Sequence, residues 1–347
     1  MKILVSAMEA SSNVHLKELK KYLDDSVEFV GVFDKDLGNP LYDLSHLAIM
    51  GIVDALKKLR FFFRLRDELV KLAKDCDKVL LMDSSGFNLP LAKKLREVYP
   101  NKEIIYYILP QAWAWKRKRV KILEATCSKL CSIIPFESEL YSNKEKITYV
   151  GHPLLDEIKE FKKELLKTEK IVFMAGSRKT EIKNLMPIFK ELIKHIPNKE
   201  YVLVIPSKFD DNYIKEIYGD ISEFTISKDA HKSLLEAEYA FICSGTATLE
   251  AALIGTPFTL AYIAKKLDFF IGRIFVKLPY VGLANIFFEK MYNRPLHSEF
   301  LQKNVTVENL LNDYKNMNKE DFFQNSKLLK DYLKEGSSQN VAKIIKN

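Results

Sequence analysis

Short apolar runs alternate with helix-period segments along this chain, and the alternation starts twice. "KILVSA" (2–7), "VEFVGVF" (27–33), "KVLLMD" (78–83), "EIIYYI" (103–108) and "KLCSII" (129–134) read as strands buried on both faces. Between them lie helical patterns such as "HLKELKKYL" (15–23) and "PLAKKLREVY" (90–99). After "ITYVGHPLLDEI" (147–158) the Lys/Glu-rich stretch 159–170 predicts a helix and connector. A second series then begins: "IVFMAG" (171–176), "YVLVIP" (201–206), "EFTISK" (223–228), "YAFICSG" (239–245) and "PFTLAY" (257–262). Strand–helix–strand repetition predicts an α/β fold with parallel sheets. At 347 residues the chain is long for one core. Two α/β domains, 1–160 and 168–324, are therefore expected. The polar helical tail is able to pack back onto either domain, and its helix over 325–347 is a candidate to join the first.

Net charge is +8, which favours anionic partners without choosing among nucleic acid, a membrane surface and a phosphorylated ligand. Cys76, Cys127, Cys131 and Cys243 show no CxxC spacing and no neighbouring histidine cluster, so a reduced, cytoplasmic, zinc-free chain is expected. The opening "MKILVSAMEA" reads as a strand rather than a signal peptide. The sequence has no run of about 18 apolar residues to span a bilayer, although lying on one stays open.

In an open α/β domain, ligands bind beyond the carboxyl ends of the strands. Four stretches stand there. "AMEASSNVHL" (7–16) is either a capped turn or a set of N–H groups offered to an anion. "LMDSSGFNLPLAKKL" (81–95) ends a strand in Asp83, which either caps the next helix or takes a proton from an attacking hydroxyl. In "MAGSRKTEI" (174–182), Gly176 and Ser177 make the turn and Arg178 is placed to reach an oxyanion. "CSGTATLEAALIGTP" (243–257) offers the small residues Ser244, Gly245 and Thr246 at a helix start, with Glu250 one turn in for a ribose diol. Walker A, GxGxxG and GxSxG patterns are missing from the sequence, which weakens ATP hydrolysis and a standard dinucleotide site.

Two further segments carry charge beside aromatics. "PQAWAWKRKRVK" (110–121) places Trp113 and Trp115 before five basic residues in six. "LKKLRFFFRLRDELVKL" (56–72) interleaves Phe61, Phe62 and Phe63 with basic residues, as "AKKLDFFIGRIFVKLPY" (264–280) does again. Such helices either pack in the core or bed into an anionic bilayer interface.

Taken together, these stretches resemble the lipid A disaccharide synthase family, inverting UDP-sugar glycosyltransferases of the GT-B fold. The resemblance runs in family order through "EAS" (9–11), "AIMGIVDAL" (48–56), "MDSSGFN" (82–88), "PQAWAWKRKRV" (110–120), "PFE" (135–137), "GH" (151–152), "GSR" (176–178), "SGTATLE" (244–250) and "YVGLANIF" (280–287). It implies two Rossmann-like domains facing across a cleft, the first binding acceptor and the second UDP-sugar. It also implies transfer of 2,3-diacylglucosamine from UDP to 2,3-diacylglucosamine 1-phosphate through a β(1→6) bond. Asp83 matches the family's essential acid and Arg178 the arginine of GSR. Gly176, Ser177, Arg178, Ser244, Gly245, Thr246, Glu250 and Asn285 fall to UDP. Glu9, Ser11, Asn88, Trp113, Trp115, Arg117, Arg119, Phe61 and Phe62 fall to the acceptor and its lipid.

His15 and His152 are alternative bases, and Lys116 and Lys118 are expected to be solvated. Without a DxD-like pair, neither metal nor cofactor is expected. The expected location is the cytoplasm, peripherally on the inner face of the cytoplasmic membrane, with oligomerisation left open. Three departures stand out: Met8 for the family's first glycine, Ser12-Asn13 for its Gly-Asp, and Gly86 for a second acid. A different UDP-sugar glycosyltransferase or an epimerase would share the SGT loop but not the MGIV and WAW stretches. An RNA-binding protein would leave Asp83, GSR and SGTATLE unexplained.

Overall fold

The computed structural model describes residues 1–43, 55–114, 116–264 and 278–347. Trp115 and most of the second aromatic–basic segment, 265–277, lie outside them. The chain divides into two compact units, residues 1–157 with 333–347, and residues 158–332.

The first unit alternates strands β1 (Lys2–Ala7), β2 (Glu28–Phe33), β3 (Tyr42–Asp43), β4 (Lys78–Met82), β5 (Glu103–Tyr107), β6 (Lys129–Ser132) and β7 (Ile147–Tyr149) with helices α1 (Ala10–Lys20), α2 (Ala55–Leu72), α3 (Ser85–Val98), α4 (Lys118–Thr126) and α5 (Pro153–Glu157). All strand pairs are parallel, in the order β3-β2-β1-β4-β5-β6-β7. Alternate side chains of β1 feed two cores on opposite faces of the sheet. Leu4 packs with Leu65, Leu69, Leu91 and Leu95, while Ile3 and Val5 pack with Leu16, Leu19 and Phe33. This two-sided burial is why the strands read as continuous apolar runs.

The second unit comprises β8 (Lys170–Met174), α6 (Lys179–Ile193), β9 (Glu200–Val204), α7 (Asp211–Tyr218), β10 (Thr225–Ser227), α8 (Ala230–Glu236), β11 (Tyr239–Cys243), α9 (Thr246–Ile254), β12 (Phe258–Tyr262), α10 (Leu283–Tyr292), β13 (Glu299–Leu301), α11 (Val307–Asn316) and most of α12 (Lys319–Leu333). Its sheet is also parallel, in the order β10-β9-β8-β11-β12-β13.

Two expectations need correction. The connector 159–170 is not helical: residues 158–169 carry no helix or strand. Lys162 N–H donates to Ile254 O at 3.0 Å, and the buried Lys162 ammonium donates to Ala237 O. These tertiary hydrogen bonds to two helix C-termini override the segment's helix-favouring composition. The tail is not one helix over 325–347, because residues 334–336 separate α12 from α13 (Ser337–Lys346).

Helix α13 is anchored on the first unit by polar contacts at its start. Asp156 accepts hydrogen bonds from Gly336 N and Ser338 N, each at 2.7 Å, capping the helix. Tyr107 Oη and Ser337 Oγ lie 2.8 Å apart, and Asn340 Nδ2 donates to Val150 O at 3.0 Å. Val341, Ala342 and Ile345 then complete the core beside Val5 and Leu16.

Candidate active site

Each sheet reverses its strand order at one point, between β1 and β4 in the first unit and between β8 and β11 in the second. At such points the outgoing chains diverge and leave a crevice at the carboxyl edge. The four strand-end stretches fall at these two crevices.

In the first crevice the β4–α3 turn carries Asp83 and Ser84, both with left-handed backbones (φ 47° and 40°). This conformation is costly for residues with a Cβ and needs support from around it. Asn88 supplies much of that support. Its Nδ2 donates to Met82 O at 2.9 Å and Asp83 O at 3.0 Å, and its Oδ1 accepts from Ser6 Oγ at 2.7 Å. Tyr106 Oη also donates to Asp83 O. Burial raises the Asp83 carboxyl above the usual aspartate range, and Glu9 raises it further; the Ser84 N–H and His15 pull it back. Asn88 itself is fully buried.

Beside Asp83 lies a cavity of about 640 Å³ lined by Met8, Glu9, Phe62, Phe63, Arg66, Ser84, Gly86, Phe87 and Pro90. Its walls are mostly apolar, with Arg66 and Glu9 supplying charge. Phe62 reaches it and packs on Phe87 (ring centroids 5.9 Å), whereas Phe61 turns edge-on to Tyr42 at 5.6 Å. Phe63 and Arg66 also line the cavity although neither was among the expected site residues; they lie on α2 three residues apart, so they neighbour each other along the helix. Ser11 is exposed in the first turn of α1.

The Trp113 stretch forms a turn rather than a strand. Trp113 packs edge-on against Phe136 (5.7 Å), and its buried Nε1 has no hydrogen-bond partner among the described residues. Arg117 and Lys118 are exposed at the start of α4, and Arg119 is half-buried. Next along the chain, Glu137 is buried with Ser132 Oγ 2.6 Å from its Oε2, and burial pushes its carboxyl up to about 8.

In the second crevice, a cavity of about 550 Å³ is lined by Gly176, Ser177 and Arg178 from the end of β8, by Ser244, Gly245 and Thr246 from the end of β11, and by Lys228, Tyr262 and Val281 among others. Gly245 is the N-cap of α9, whose first turn receives no side-chain cap. Its N–H groups and the positive end of the helix dipole therefore suit an anion. A Cβ at Gly245 would meet nothing within 4 Å, so packing does not demand glycine there; the missing side chain leaves ligand space.

Glu181, in the first turn of α6, organises the GSR turn. Its Oε2 accepts from Ser177 N (3.3 Å) and Arg178 N (3.2 Å), and its Oε1 from Arg178 Nη1 (2.8 Å). Gly176 has φ +95°, and a Cβ there would stand 2.6 Å from Glu181 Oε2. The Arg178 side chain is 77% exposed.

Asn285, expected at UDP, stands near the start of α10. It is fully buried; its Oδ1 accepts from Leu296 N (2.8 Å) and His297 N (3.0 Å), and its Nδ2 donates to His297 O and Glu299 Oε1 (both 2.9 Å). Its amide is therefore saturated by protein groups. Glu299 in turn accepts from Val281 N (2.8 Å) and Gly282 N (2.9 Å), fixing the Val281 wall of the cavity. Glu250 stands with its Oε1 3.9 Å from His231 Nδ1.

The family model described as lipid-A-disaccharide synthetase matches residues 3–346. The chain belongs to the lipid-A-disaccharide synthetase family. A lipid-A-disaccharide synthase of Helicobacter pylori (strain ATCC 700392 / 26695) is 52% identical over 353 residues, covering 98% of this chain and 96% of the relative. One from Campylobacter jejuni (strain RM1221) is 46% identical, covering 99% and 98%. Among solved structures, a Neisseria meningitidis UDP-GlcNAc 2-epimerase bound to UDP-GlcNAc gives a TM-score of 0.63 at 13% identity, with both chains wholly covered. Acinetobacter baumannii MurG gives 0.57 at 11%, covering 99% and 98%. These distant structures speak for the fold alone, the GT-B class of paired parallel-sheet units.

Within the lipid-A-disaccharide synthetase family, this member's departures have structural readings. Asn13, in place of the family's aspartate, pins the β1–α1 turn: its Nδ2 donates to Ala7 O and Glu9 O, and its Oδ1 accepts from Asp34 N at 2.8 Å. Met8 and Gly86 both line the first cavity, and a Cβ on Gly86 would enter open space. The missing second acid therefore widens the cavity rather than relieving a packing conflict.

Proposed function

We propose that this chain transfers 2,3-diacylglucosamine from UDP to 2,3-diacylglucosamine 1-phosphate, making the β(1→6) disaccharide 1-phosphate and UDP. The observation that carries this reading is the half-buried Asp83, whose chain neighbour Ser84 lines an apolar cavity large enough for an acyl chain. The anion-ready loops of the second unit support a UDP-sugar there. The first unit, with α13, then handles the acceptor.

In this mechanism the acceptor's 6-hydroxyl gives its proton to Asp83 as its oxygen bonds the anomeric carbon. The bond from that carbon to the UDP oxygen breaks on the opposite face, and the electron pair leaves with UDP. A well-placed base contributes about 10²–10⁴-fold. Arg178 and the N–H groups after Gly245 stabilise the departing diphosphate. Glu250 meets the ribose. Trp113, Trp115, Arg117 and Arg119 serve the acceptor end, the arginines taking its 1-phosphate. Glu9 and Ser11 border it.

The same reading places the protein on an anionic membrane surface at the cytoplasmic face. Phe63 is 49% exposed and is flanked by exposed Arg60 and Arg64 on α2. Among the described residues no helix is long and apolar enough to cross a membrane, so attachment would be peripheral. Flotation with phosphatidylglycerol vesicles tests it: the protein rises with them at low salt, and failure to do so removes the membrane reading.

Incubation with UDP-2,3-diacylglucosamine and 2,3-diacylglucosamine 1-phosphate tests the reaction. Equal amounts of UDP and disaccharide 1-phosphate are expected. UDP without disaccharide, or interconversion of the UDP-sugar alone, would replace the reading with hydrolysis or epimerisation.

A further inference from the structure

The Lys/Glu-rich connector lines neither crevice cavity, yet it is held firmly on the second unit. Lys162 fixes it twice, through its N–H on Ile254 O at 3.0 Å and its ammonium on Ala237 O. A cavity of about 640 Å³ is lined there by residues 159–163, by the end of α9 and by α12. It shares no lining residue with the cavities at the two crevices.

Five lysines line this cavity, Lys159, Lys162, Lys163, Lys327 and Lys330, against two carboxylates, Glu160 and Asp331. Among the described residues no ion pair joins any of the five to a carboxylate. Instead the Lys330 ammonium lies 3.5 Å from the centre of the Phe161 ring, and the Lys327 ammonium 4.3 Å from that of Phe323. The ring faces hold these two cations without neutralising them. Lys162 is buried and directs its ammonium to a carbonyl, so its charge too is left without a counter-ion.

Lysines on a solvated face would need no ligand, but Ser326 does not fit that account. It lines the same cavity, is only 2% exposed, and its Oγ has no hydrogen-bond partner among the described residues. A serine inside a helix ordinarily turns its hydroxyl outward to water or back to the carbonyl four residues earlier; Ser326 does neither. An unpaired buried hydroxyl is costly, so it calls for a partner from outside the chain. Phe323, Ser326, Lys327 and Lys330 recur at three- and four-residue spacing, which sets aromatic ring, hydroxyl and ammonium groups side by side on α12.

We propose that this cavity is a second anion site that binds a phosphate group, with the lysine ammonium groups and the Ser326 hydroxyl on its oxygens. The aromatic rings beneath take the apolar part of a phosphate ester. A phosphate presents three acceptor oxygens and about two negative charges near neutral pH, which suits several point-charge cations and one hydroxyl. The source is either free phosphate or the headgroup of a lipid. Neither Asp83 nor UDP enters the argument.

The test is calorimetric titration of the full-length chain, with UDP saturating, against two probes: inorganic phosphate and soluble dihexanoyl phosphatidic acid. Both should bind the parent. Equal affinities support a site that reads phosphate alone, and tighter binding of the lipid supports one that also reads the ester's apolar part. The double variant Lys163→Ala/Lys330→Ala should bind both probes about tenfold or more weakly. Ser326→Ala should weaken them about threefold without lowering the melting temperature, since its hydroxyl has no protein partner to lose. Melting curves without phosphate report that the variants are folded. Failure of both probes to bind at millimolar concentration, or binding to the double variant as tight as to the parent, overturns the proposal. Disaccharide formation is not part of the readout, so that result leaves the Asp83 reading standing, and an inactive chain that binds phosphate here removes only the Asp83 reading.

Discussion

Ser84 Oγ donates a 2.9 Å hydrogen bond to Glu9 Oε1, tying the carboxyl end of β4 to that of β1 across 75 residues of sequence. The bond holds one acid of the crevice by a neighbour of the other and fixes the spacing of Glu9 from Asp83. Ser84→Ala releases Glu9 toward solvent and weakens its upward push on Asp83. The acid limb of kcat/KM should then move down, because Glu9 raises the Asp83 carboxyl. A pH–rate profile of Ser84→Ala checks the sign.

Asn88 braces the left-handed Asp83–Ser84 turn through the Met82 and Asp83 carbonyls. Asn88→Ala strips a donor from the Met82 and Asp83 carbonyls and an acceptor from Ser6, at a cost of about 2–3 kcal/mol. Urea denaturation should show that loss. Turnover should fall by about 10²-fold through displacement of Asp83, while UDP affinity stays near the parent's.

Gly176→Ala tests the UDP loop. The added methyl needs a φ of +95° and collides with the Glu181 carboxylate that holds the Ser177 and Arg178 N–H groups. Calorimetric titration should show UDP binding weakened about tenfold or more, a loss of roughly 1.4 kcal/mol or above. Glu299→Gln should be milder than Glu299→Ala, because the amide oxygen still accepts from Val281 or Gly282.

Two buried groups set opposite slopes in the pH dependence of stability. Glu137 is raised from 4.5 to about 8, so the native state holds a proton that the unfolded chain releases. Its contribution is complete below 4.5 and is lost as pH rises toward 8. His152 is lowered from 6.5 to about 3, so its contribution is present above 6.5 and is lost as pH falls toward 3. Glu137→Gln should therefore melt at a higher temperature than the parent at pH 8 and at a similar one near pH 4.5. Thermal melts at the two pH values decide it.

The strands that position both crevices were legible because they are buried on both faces and so read as unbroken apolar runs. β3, β7 and β13 were not: they are two or three residues long and largely half-exposed, with no run to detect. The connector misled because its composition favours helix while its hydrogen bonds are tertiary. Strand-end position correctly brought Asp83, Arg178 and the SGT loop to the crevices. It said nothing of side-chain direction, and so did not show that Asn88 and Asn285 are buried and hydrogen-bonded to protein groups. Glu181 and Glu299 act through the backbone N–H groups they hold, and no strand-end pattern marks such a role.

The central claim is that Asp83 accepts the acceptor's proton during disaccharide formation. The most direct measurement is the rate of disaccharide 1-phosphate formation by Asp83→Asn and by the parent chain, at saturating donor and acceptor, with UDP affinity measured on both. The account predicts a fall of about 10²–10⁴-fold in rate with UDP affinity unchanged. A variant that forms disaccharide at the parent's rate would contradict it.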